Sequence, residues 1–169
     1  MRKLIPNIVN EDFIPTIENI DRLACDILCH LPLPYCETEL VQATIECKKS
    51  GHKPHRDFKN SQPDLGKSTN KYTPNPRYKN CIMACSVLLT DPSSYKGGSF
   101  HFYNHEECIR EEHYLSALVY DTDQVHSVDP HSDGDRWVLL MFFATEECKS
   151  GCLYVLNEGK YMSLMKNIM

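Results

Sequence analysis

The feature that most constrains the fold is a series of short apolar segments separated by turn residues. The segments are rich in β-branched and aromatic side chains, and Gly, Pro, Asp and Ser lie between them. They cover residues 81–90, 97–103, 115–120, 125–128 and 136–143, and residues 40–47 form a similar segment. Several short strands joined by turns are typical of a sandwich or a barrel-like jelly roll. The sequence therefore predicts a mainly β fold with flanking helices.

Both ends of the chain differ from this central region. Apolar residues recur every three or four positions over residues 17–31, which predicts an amphipathic helix that Pro32 and Pro34 end. After residue 145 we expect a short strand at 153–156 and a final helix. The chain of 169 residues, 41% hydrophobic, is long enough for one domain but short for two. We predict a single domain over residues 1–169, with helical support at about 1–39, a core at about 40–144 and an extension at 145–169. The extension either packs on the core or mediates dimerisation.

Composition excludes some classes of function. The net charge of −5 argues against a protein that binds bulk nucleic acid, which needs concentrated positive charge. The first residues become polar too early for a signal peptide, and no apolar stretch is long enough to span a membrane, so we expect a soluble, intracellular, cytoplasmic protein. The nine cysteines include no Cys-x-x-Cys pair, so we expect reduced thiols that serve as small core residues. Three pairs are spaced four apart, which leaves a metal site or a disulfide open: Cys25 with Cys29, Cys81 with Cys85, and Cys148 with Cys152.

Residues 58–80 read as a long loop with three prolines and one glycine. Five basic side chains and one acidic side chain give this segment a charge of +4. Long loops in small domains are often lids or binding loops. The segment is either such a loop, for an acidic substrate or partner, or simply a solvated connection.

Three residues have the chemistry of a metal site. His55 and Asp57 lie two positions apart, so on an extended segment their side chains point the same way, and His126 supplies a second imidazole. Two histidines and one carboxylate form the facial triad that holds non-haem Fe(II) and leaves positions open. The absence of a thiolate makes a closed structural zinc site less consistent with the set.

Arg136 is a fourth candidate, because it lies near the start of an apolar strand. A guanidinium is costly to bury unless an anion pairs with it. The fork of the guanidinium suits a carboxylate of a small dicarboxylic acid. The alternative is an ordinary ion pair with Asp133 or Asp135.

Together these motifs resemble a known family, the 2-oxoglutarate/Fe(II)-dependent dioxygenases, and within it the prolyl 4-hydroxylase and lysyl hydroxylase branch. The resemblance covers about residues 40–144. It rests on Pro54-His55-Arg56-Asp57, on Ser86-Val-Leu-Leu-Thr90 followed by Tyr95-Lys-Gly-Gly-Ser-Phe-His-Phe102, and on residues 119–130 with Gly134-Asp-Arg136-Trp137. The order and the intervals of these motifs together are what make the resemblance specific.

The resemblance implies a double-stranded β-helix, or jelly roll, with iron bound by His55, Asp57 and His126. It implies that Arg136 binds the distal carboxylate of 2-oxoglutarate. Where the family usually has a tyrosine that contacts this cosubstrate, Cys47 stands in the sequence. The implied reaction is hydroxylation of a C–H bond, most simply on a prolyl or lysyl side chain of a protein or peptide. It consumes O2, releases succinate and CO2, and is supported by ascorbate.

Other functions remain open from the sequence. A small-metabolite hydroxylase or a nucleic-acid demethylase of the same superfamily shares the metal site, although the demethylases commonly have a second arginine where Phe142 stands here. A metal-binding jelly roll without catalysis is an alternative from another class. The prime substrate and the oligomeric state are not indicated.

Five of the six other histidines are interpreted as surface or hydrogen-bonded residues rather than ligands: His52, His101, His105, His113 and His131. His101 is the exception, because inward alternation on its strand would bring it near the metal.

Overall fold

The structure is a computed structural model that describes residues 1–57, 80–104, 106–145 and 151–156. One α-helix, α1, spans Ile17–Cys29 within these ranges. The strands are β1 Arg2–Ile5, β2 Glu39–Glu46, β3 His52–His55, β4 Cys81–Leu88, β5 Lys96–Gly97, β6 Phe100–Phe102, β7 Glu107–Ile109, β8 Ala117–Asp121, β9 His126–Val128, β10 His131–Ser132, β11 Val138–Ala144 and β12 Leu153–Val155. Short 3-10 turns lie at Tyr35–Glu37, Pro92–Ser94 and Glu111–His113.

The helix forms where its apolar periodicity predicted it. The side chain of Thr16 accepts a hydrogen bond from the backbone N–H of Asn19, which caps the first turn. Ile20, Leu23 and Ile27 are buried on one face, and the helix ends at Cys29, before the two prolines. Burial of that face against a sheet stabilises the helix more than propensity does.

Half of the twelve described strands belong to a large sheet in the order β1-β8-β4-β11-β2-β12. Its pairs are antiparallel except for β12, which runs parallel to β2. A smaller sheet has the order β3-β9-β6-β7, and β10 pairs with β5. This arrangement confirms the mainly β jelly roll predicted from the sequence.

The two faces of the large sheet bury different cores. On β4, Met83 and Cys85 belong to the cluster that packs with α1, whereas Ala84 belongs to the cluster that includes Phe100 and Phe102 of the small sheet. Successive side chains of a strand point to opposite faces, so one strand serves both cores. The layers are therefore helix, large sheet and small sheet.

Some predicted boundaries differ from the structure. The predicted strand at 97–103 is two strands, because Gly97 and Gly98 have positive φ values of 76° and 74° and turn the chain between β5 and β6. The strand predicted from residue 115 begins at Ala117, since Leu115 has a φ of 56°. The last long strand begins at Val138, so Arg136 lies just before it.

The C-terminal extension contributes β12, where a strand was predicted, and Tyr154 packs against the core that includes α1. The predicted final helix and the basic loop at 58–80, apart from residue 80, lie outside the described residues. The single-domain organisation stays a prediction. In the part of the chain that the structure describes, no helix is long and apolar enough to cross a membrane.

The cysteines follow the sequence expectation only in part. Those described form no disulfide with one another, and Cys81 and Cys85 are buried. Cys25, Cys29 and Cys108 are exposed, so the expectation of a core role is wrong for them. The two on α1 lie on its solvent side, opposite the apolar face. Cys148 is outside the described residues.

Candidate active site

The three predicted metal ligands come together at the edge where β3 pairs with β9. His55 ends β3 and lies opposite His126, the first residue of β9. The Nε2 atoms of both imidazoles lie 3.5 Å from the same oxygen, Oδ1 of Asp57. One ligand atom from each residue can be chosen so that all lie within 4.8 Å of one another. This separation fits ligands that share one first-row metal ion at about 2.0 to 2.2 Å each.

Backbone carbonyls orient both imidazoles. Nδ1 of His55 lies 2.7 Å from the carbonyl oxygen of Lys53, and Nδ1 of His126 lies 3.0 Å from that of Gln124. A carbonyl only accepts, so each Nδ1 carries the proton and each Nε2 keeps its lone pair. The backbone N–H of Asp57 donates to the carbonyl of Thr122 at 3.1 Å. Such contacts are typical of metal sites, where they fix the tautomer and the ring orientation of the ligands.

The site is closed on one side and open on the other. Phe100 stacks on His126 at 5.1 Å between ring centroids, and Tyr120 meets it at 4.8 Å. The His126 side chain is 4% exposed, whereas that of His55 is 31% exposed. Solvent or a substrate therefore reaches the ligands from the His55 side.

The pKa values of the two histidines shift in opposite directions. Burial lowers the pKa of His126, although the Asp57 carboxylate opposes that shift. When its ring is protonated, His55 can donate a hydrogen bond from Nε2 to the Asp57 carboxylate, which raises the pKa of His55, and burial opposes this shift. Burial, together with the charge of Asp57, raises the pKa of the Tyr120 phenol well above its usual value. Oδ2 of Asp57 is buried and has no hydrogen-bond partner among the described residues, so the carboxylate retains capacity for a cation.

Arg136 is buried, with 6% of its surface exposed. The alternative of an ion pair with Asp133 or Asp135 is wrong, because these carboxylates pair with Lys96 and Lys49 at 2.8 Å and 3.1 Å. Among the described residues no carboxylate lies at ion-pair distance from Arg136, and its Nε has no hydrogen-bond partner. Burial lowers the pKa of this guanidinium. A buried cation in these surroundings fits an anionic ligand.

Gly98 makes the position of Arg136 sterically accessible. A Cβ on Gly98 would lie 2.6 Å from Cδ of Arg136 and 3.0 Å from Cε2 of Tyr95. Real side chains do not approach that closely, so this position admits the two neighbours only because it is glycine. The positive φ of 74° favours glycine for a second reason.

Cys47 lies next to this cationic region, with its Sγ 3.7 Å from Nε2 of His131. Burial raises the pKa of its thiol, so the protonated form is favoured. A role for Cys47 in cosubstrate binding stays a prediction.

One histidine differs from its sequence interpretation. His101 points away from the metal ligands, because the adjacent Phe100 and Phe102 occupy the inner face of β6, and its Nε2 lies 2.8 Å from Oδ2 of Asp129. The expected inward alternation is therefore wrong. His113 is a hydrogen-bonded histidine, one of the two predicted alternatives: it is 1% exposed, and its Nε2 lies 2.8 Å from the carbonyl of Ser86.

Of the other histidines interpreted from the sequence, His52 and His131 are described and His105 is not. His52 pairs with Glu46, as expected for a hydrogen-bonded histidine. His131 is buried, with 6% exposure, and accepts a hydrogen bond from the backbone N–H of Arg136. The sequence analysis did not single out Tyr95, Tyr120 or His131 as site residues. Tyr95 and Tyr120 did stand within the motifs that carried the resemblance.

Comparisons with known proteins concern the fold and one segment of the sequence. No family model matches the chain. A PKHD-type hydroxylase of Sphingopyxis alaskensis is 33% identical over 61 residues, which are 36% of this chain and 28% of that protein. The chain therefore matches little more than a quarter of the length of this relative.

Solved structures match over most of the chain. The viral collagen prolyl hydroxylase of Paramecium Bursaria Chlorella virus-1, in its 2OG complex, aligns with a TM-score of 0.55 and 12% identity, over 86% of this chain and 96% of that one. A truncated form of the same viral enzyme aligns with a TM-score of 0.57, over 86% and 90% of the two chains. At this identity the likeness concerns the fold. The resemblance to 2-oxoglutarate/Fe(II)-dependent dioxygenases of the prolyl hydroxylase type, predicted from the sequence, is thus confirmed in the fold and in one segment of the sequence.

Proposed function

We propose that this protein is an Fe(II)- and 2-oxoglutarate-dependent dioxygenase that hydroxylates a C–H bond of a prolyl or lysyl side chain in a protein or peptide, with release of succinate and CO2. The observation that carries the proposal is the arrangement of His55 and His126, whose Nε2 atoms both lie 3.5 Å from Oδ1 of Asp57. Iron and 2-oxoglutarate, when bound, supply the activation of O2. The residues of this chain bind the metal and the cosubstrate, orient the metal ligands and exclude water from the site.

The triad residues suit a ferrous ion. Both imidazoles present Nε2 because their Nδ1 protons are engaged by the carbonyls of Lys53 and Gln124. Asp57 supplies one negative charge, which leaves the site cationic enough to attract an anionic cosubstrate once a divalent ion is bound. Three protein ligands leave the remaining positions of the ion for cosubstrate and O2.

Arg136 supplies the second half of cosubstrate recognition. A dicarboxylic oxo-acid has a carboxylate at the end away from its oxo group, and a buried guanidinium satisfies that group by a charge-assisted pair. Because Arg136 has no carboxylate partner among the described residues, it does not have to break an ion pair to bind one. The anion would instead compensate a charge that is already buried.

The aromatic side chains beside His126 exclude water from the closed side of the site. Phe100 and Tyr120 are each only 2% exposed. Water that reaches a reactive site diverts the reaction, so a dry wall there favours hydroxylation of the substrate. The substrate approaches from the opposite side, where His55 is accessible and Lys53 is exposed.

A side chain on a polypeptide fits this geometry, because a residue projecting from an extended peptide can reach the ligands from the open side while its backbone stays at the surface. The fold shared with a viral collagen prolyl hydroxylase supports a prolyl side chain as the target. Hydroxylation of metabolites or demethylation of nucleic acid has no specific support in the described residues.

The decisive experiment measures succinate formed by purified protein with Fe(II), ascorbate, O2 and 2-oxoglutarate, compared with Asp57→Ala and with other oxo-acids. Uncoupled turnover occurs without the prime substrate, so wild-type protein should form succinate and the variant should not. Succinate from wild type would justify screening prolyl and lysyl peptides for hydroxylation.

Absence of succinate, together with absence of a weak visible charge-transfer band from anaerobic Fe(II) and 2-oxoglutarate, would contradict the proposal. That result would favour a metal-binding module without catalysis.

A further inference from the structure

Beside Arg136 lie two more buried polar side chains. Each has a polar atom that makes no hydrogen bond to the described residues. They are Tyr95 and His131, which are 3% and 6% exposed. By distance and angle, the hydroxyl of Tyr95 and Nδ1 of His131 make no hydrogen bond there, like Nε of Arg136. The Arg136 guanidinium opposes the rise that burial causes in the pKa of Tyr95, so it lies near the hydroxyl, but it can only donate and leaves the hydroxyl proton available. Buried polar groups are nearly always paired, so such a concentration of unused ones points to a polar ligand.

The three side chains are mutual neighbours. The rings of Tyr95 and His131 meet edge to face at 5.9 Å between centroids. Cδ of Arg136 and the ring edge of Tyr95 both lie over Gly98. His131 in turn lies against the backbone of Arg136, at 3.2 Å between its Nε2 and the amide nitrogen.

The contact with Arg136 fixes the proton of His131. A backbone N–H can only donate, so Nε2 of His131 accepts and the proton of the neutral ring lies on Nδ1. The buried Nδ1 is therefore a donor. Burial and the charge of Arg136 both lower the pKa of His131, which agrees with a neutral ring.

Arg110 holds Tyr95 in place from outside. Its guanidinium lies 5.4 Å from the centre of the Tyr95 ring. Its nitrogen atoms donate to the carbonyl oxygens of Pro92, Tyr95 and Gly97 at 2.8, 3.0 and 3.0 Å. The hydroxyl of Tyr95 is thus presented by a backbone that is tied down rather than free to turn away.

From this arrangement we infer that Tyr95 and His131 are additional donors to the distal carboxylate of the oxo-acid, and that they complete with Arg136 a dry pocket selective for a dicarboxylic oxo-acid. The inference rests on the proposed function and adds residues to it. A carboxylate has about four acceptor sites. A guanidinium edge fills two, and the phenol and the imidazole N–H fill the others, so the carboxylate can be buried without losing hydrogen bonds.

Calorimetric measurement of oxo-acid binding tests the roles of Tyr95 and His131 without enzymatic turnover. Mn(II)-loaded protein under argon is titrated with 2-oxoglutarate and with 2-oxobutyrate, an oxo-acid that lacks the distal carboxylate. Wild type should bind 2-oxoglutarate far more tightly. Tyr95→Phe and His131→Gln should each weaken 2-oxoglutarate binding by about tenfold to a hundredfold, the loss of one hydrogen bond to a charged group. Binding of 2-oxobutyrate should be unchanged.

The substitutions are chosen to isolate the donors. His131→Gln keeps an acceptor for the Arg136 amide but removes the donor at Nδ1. His131→Asn keeps a donor near Nδ1 and should bind 2-oxoglutarate better than His131→Gln. Tyr103→Phe and His101→Gln make the same chemical changes on the outer face, where Tyr103 contacts Ser127 and His101 contacts Asp129. Both controls should bind like wild type.

The outcomes separate the two proposals. If wild type binds 2-oxoglutarate selectively but Tyr95→Phe and His131→Gln, folded by circular dichroism, bind it equally well, this inference is overturned and the proposed function stands. If wild type does not prefer 2-oxoglutarate to 2-oxobutyrate, the proposed cosubstrate role of Arg136 fails, and this inference fails with it.

Discussion

The metal ligands and the Arg136 pocket are two polar regions inside one β fold, and they are built in opposite ways. The ligands His55, Asp57 and His126 include a carboxylate, are oriented by backbone carbonyls and open to solvent on the His55 side. The pocket around Arg136 is cationic and buried, and it contains donors without partners among the described residues.

This difference shows what each region lacks. The ligand set has surplus negative charge and lone pairs, so a cation completes it. The Arg136 pocket has surplus positive charge and N–H or O–H donors, so an anion completes it. A metal chelated by an oxo-acid with a second carboxylate would satisfy both regions at once, and on this ground we propose that the two regions form one site.

The largest effect should come from removing a metal ligand. His126→Ala deletes an imidazole whose Nε2 faces Asp57, so we expect loss of Fe(II) binding and a fall of succinate formation to background. Retained metal binding measured on the purified variant would disprove the triad assignment. His101→Ala is the matched control, because this imidazole lies on the neighbouring strand β6 but faces Asp129. It should keep wild-type turnover.

Removing the cation from the second region should have two opposite effects. Arg136→Met keeps an unbranched side chain as far as the position of Nε but removes the rest of the guanidinium and its charge. The 2-oxoglutarate concentration for half-maximal succinate formation should rise by about a hundredfold, the loss of a charge-assisted pair. The cosubstrate-free protein should become more stable by about 1 to 4 kcal/mol, because a buried charge without a counter-ion is replaced by an apolar group.

Urea denaturation and turnover measured on the same preparation test both effects. A destabilised Arg136→Met variant would mean that a counter-ion for Arg136 exists within the protein. An unchanged cosubstrate requirement would mean that the distal carboxylate binds elsewhere.

The sequence predicted the ligand region better than the Arg136 pocket, for a physical reason. Metal ligation restricts residue type, so His55, Asp57 and His126 can be recognised from their side chains and intervals alone. The donors of the Arg136 pocket become neighbours only through the pairing of β5 with β10, where His131 lies opposite Gly97. Nothing local in the sequence indicates that contact.

The error at His101 had a local signal. Phe100 and Phe102 alternate with it, and alternation of apolar and polar residues on a strand predicts that the polar residue faces outward. The buried state of His113 had no such signal, because it depends on the distant carbonyl of Ser86.

The next effect is the pH dependence of stability that results from the buried imidazole of His113, whose pKa the charge of Arg136 helps to lower. Burial, reinforced by Arg136, lowers the pKa of His113 from 6.5 to about 3. Between these values the unfolded chain binds a proton that the folded protein does not, so stability is complete above about pH 6.5 and falls as the pH falls towards 3. The slope is about 1.4 kcal/mol per pH unit, or about 2 kcal/mol between pH 6.5 and 5.

His113→Gln keeps a donor for the Ser86 carbonyl but does not titrate. Its stability should therefore depend less on pH over this range, even if it is lower at pH 7. Urea denaturation at pH 7 and pH 5 measures the difference between variant and wild type. His101→Gln should keep the wild-type slope, and an equally steep slope in His113→Gln would show that other groups cause the acid sensitivity.

The smallest effect should come from the glycine that lets Arg136 and Tyr95 approach each other. In Gly98→Ala the new methyl group would lie 2.6 Å from Cδ of Arg136, so the guanidinium must shift, and we expect about a tenfold higher 2-oxoglutarate requirement as part of one charge-assisted bond is lost. Gly151→Ala is the matched control, since Gly151 also has a positive φ, of 69°, but a Cβ there meets no described atom within 4 Å. Both changes carry the backbone cost of about 1 kcal/mol for a left-handed conformation. Because only Gly98→Ala should also change cosubstrate binding, equal binding by the two variants would mean that Arg136 has room to move and that the pocket is not held to the dimensions of its ligand.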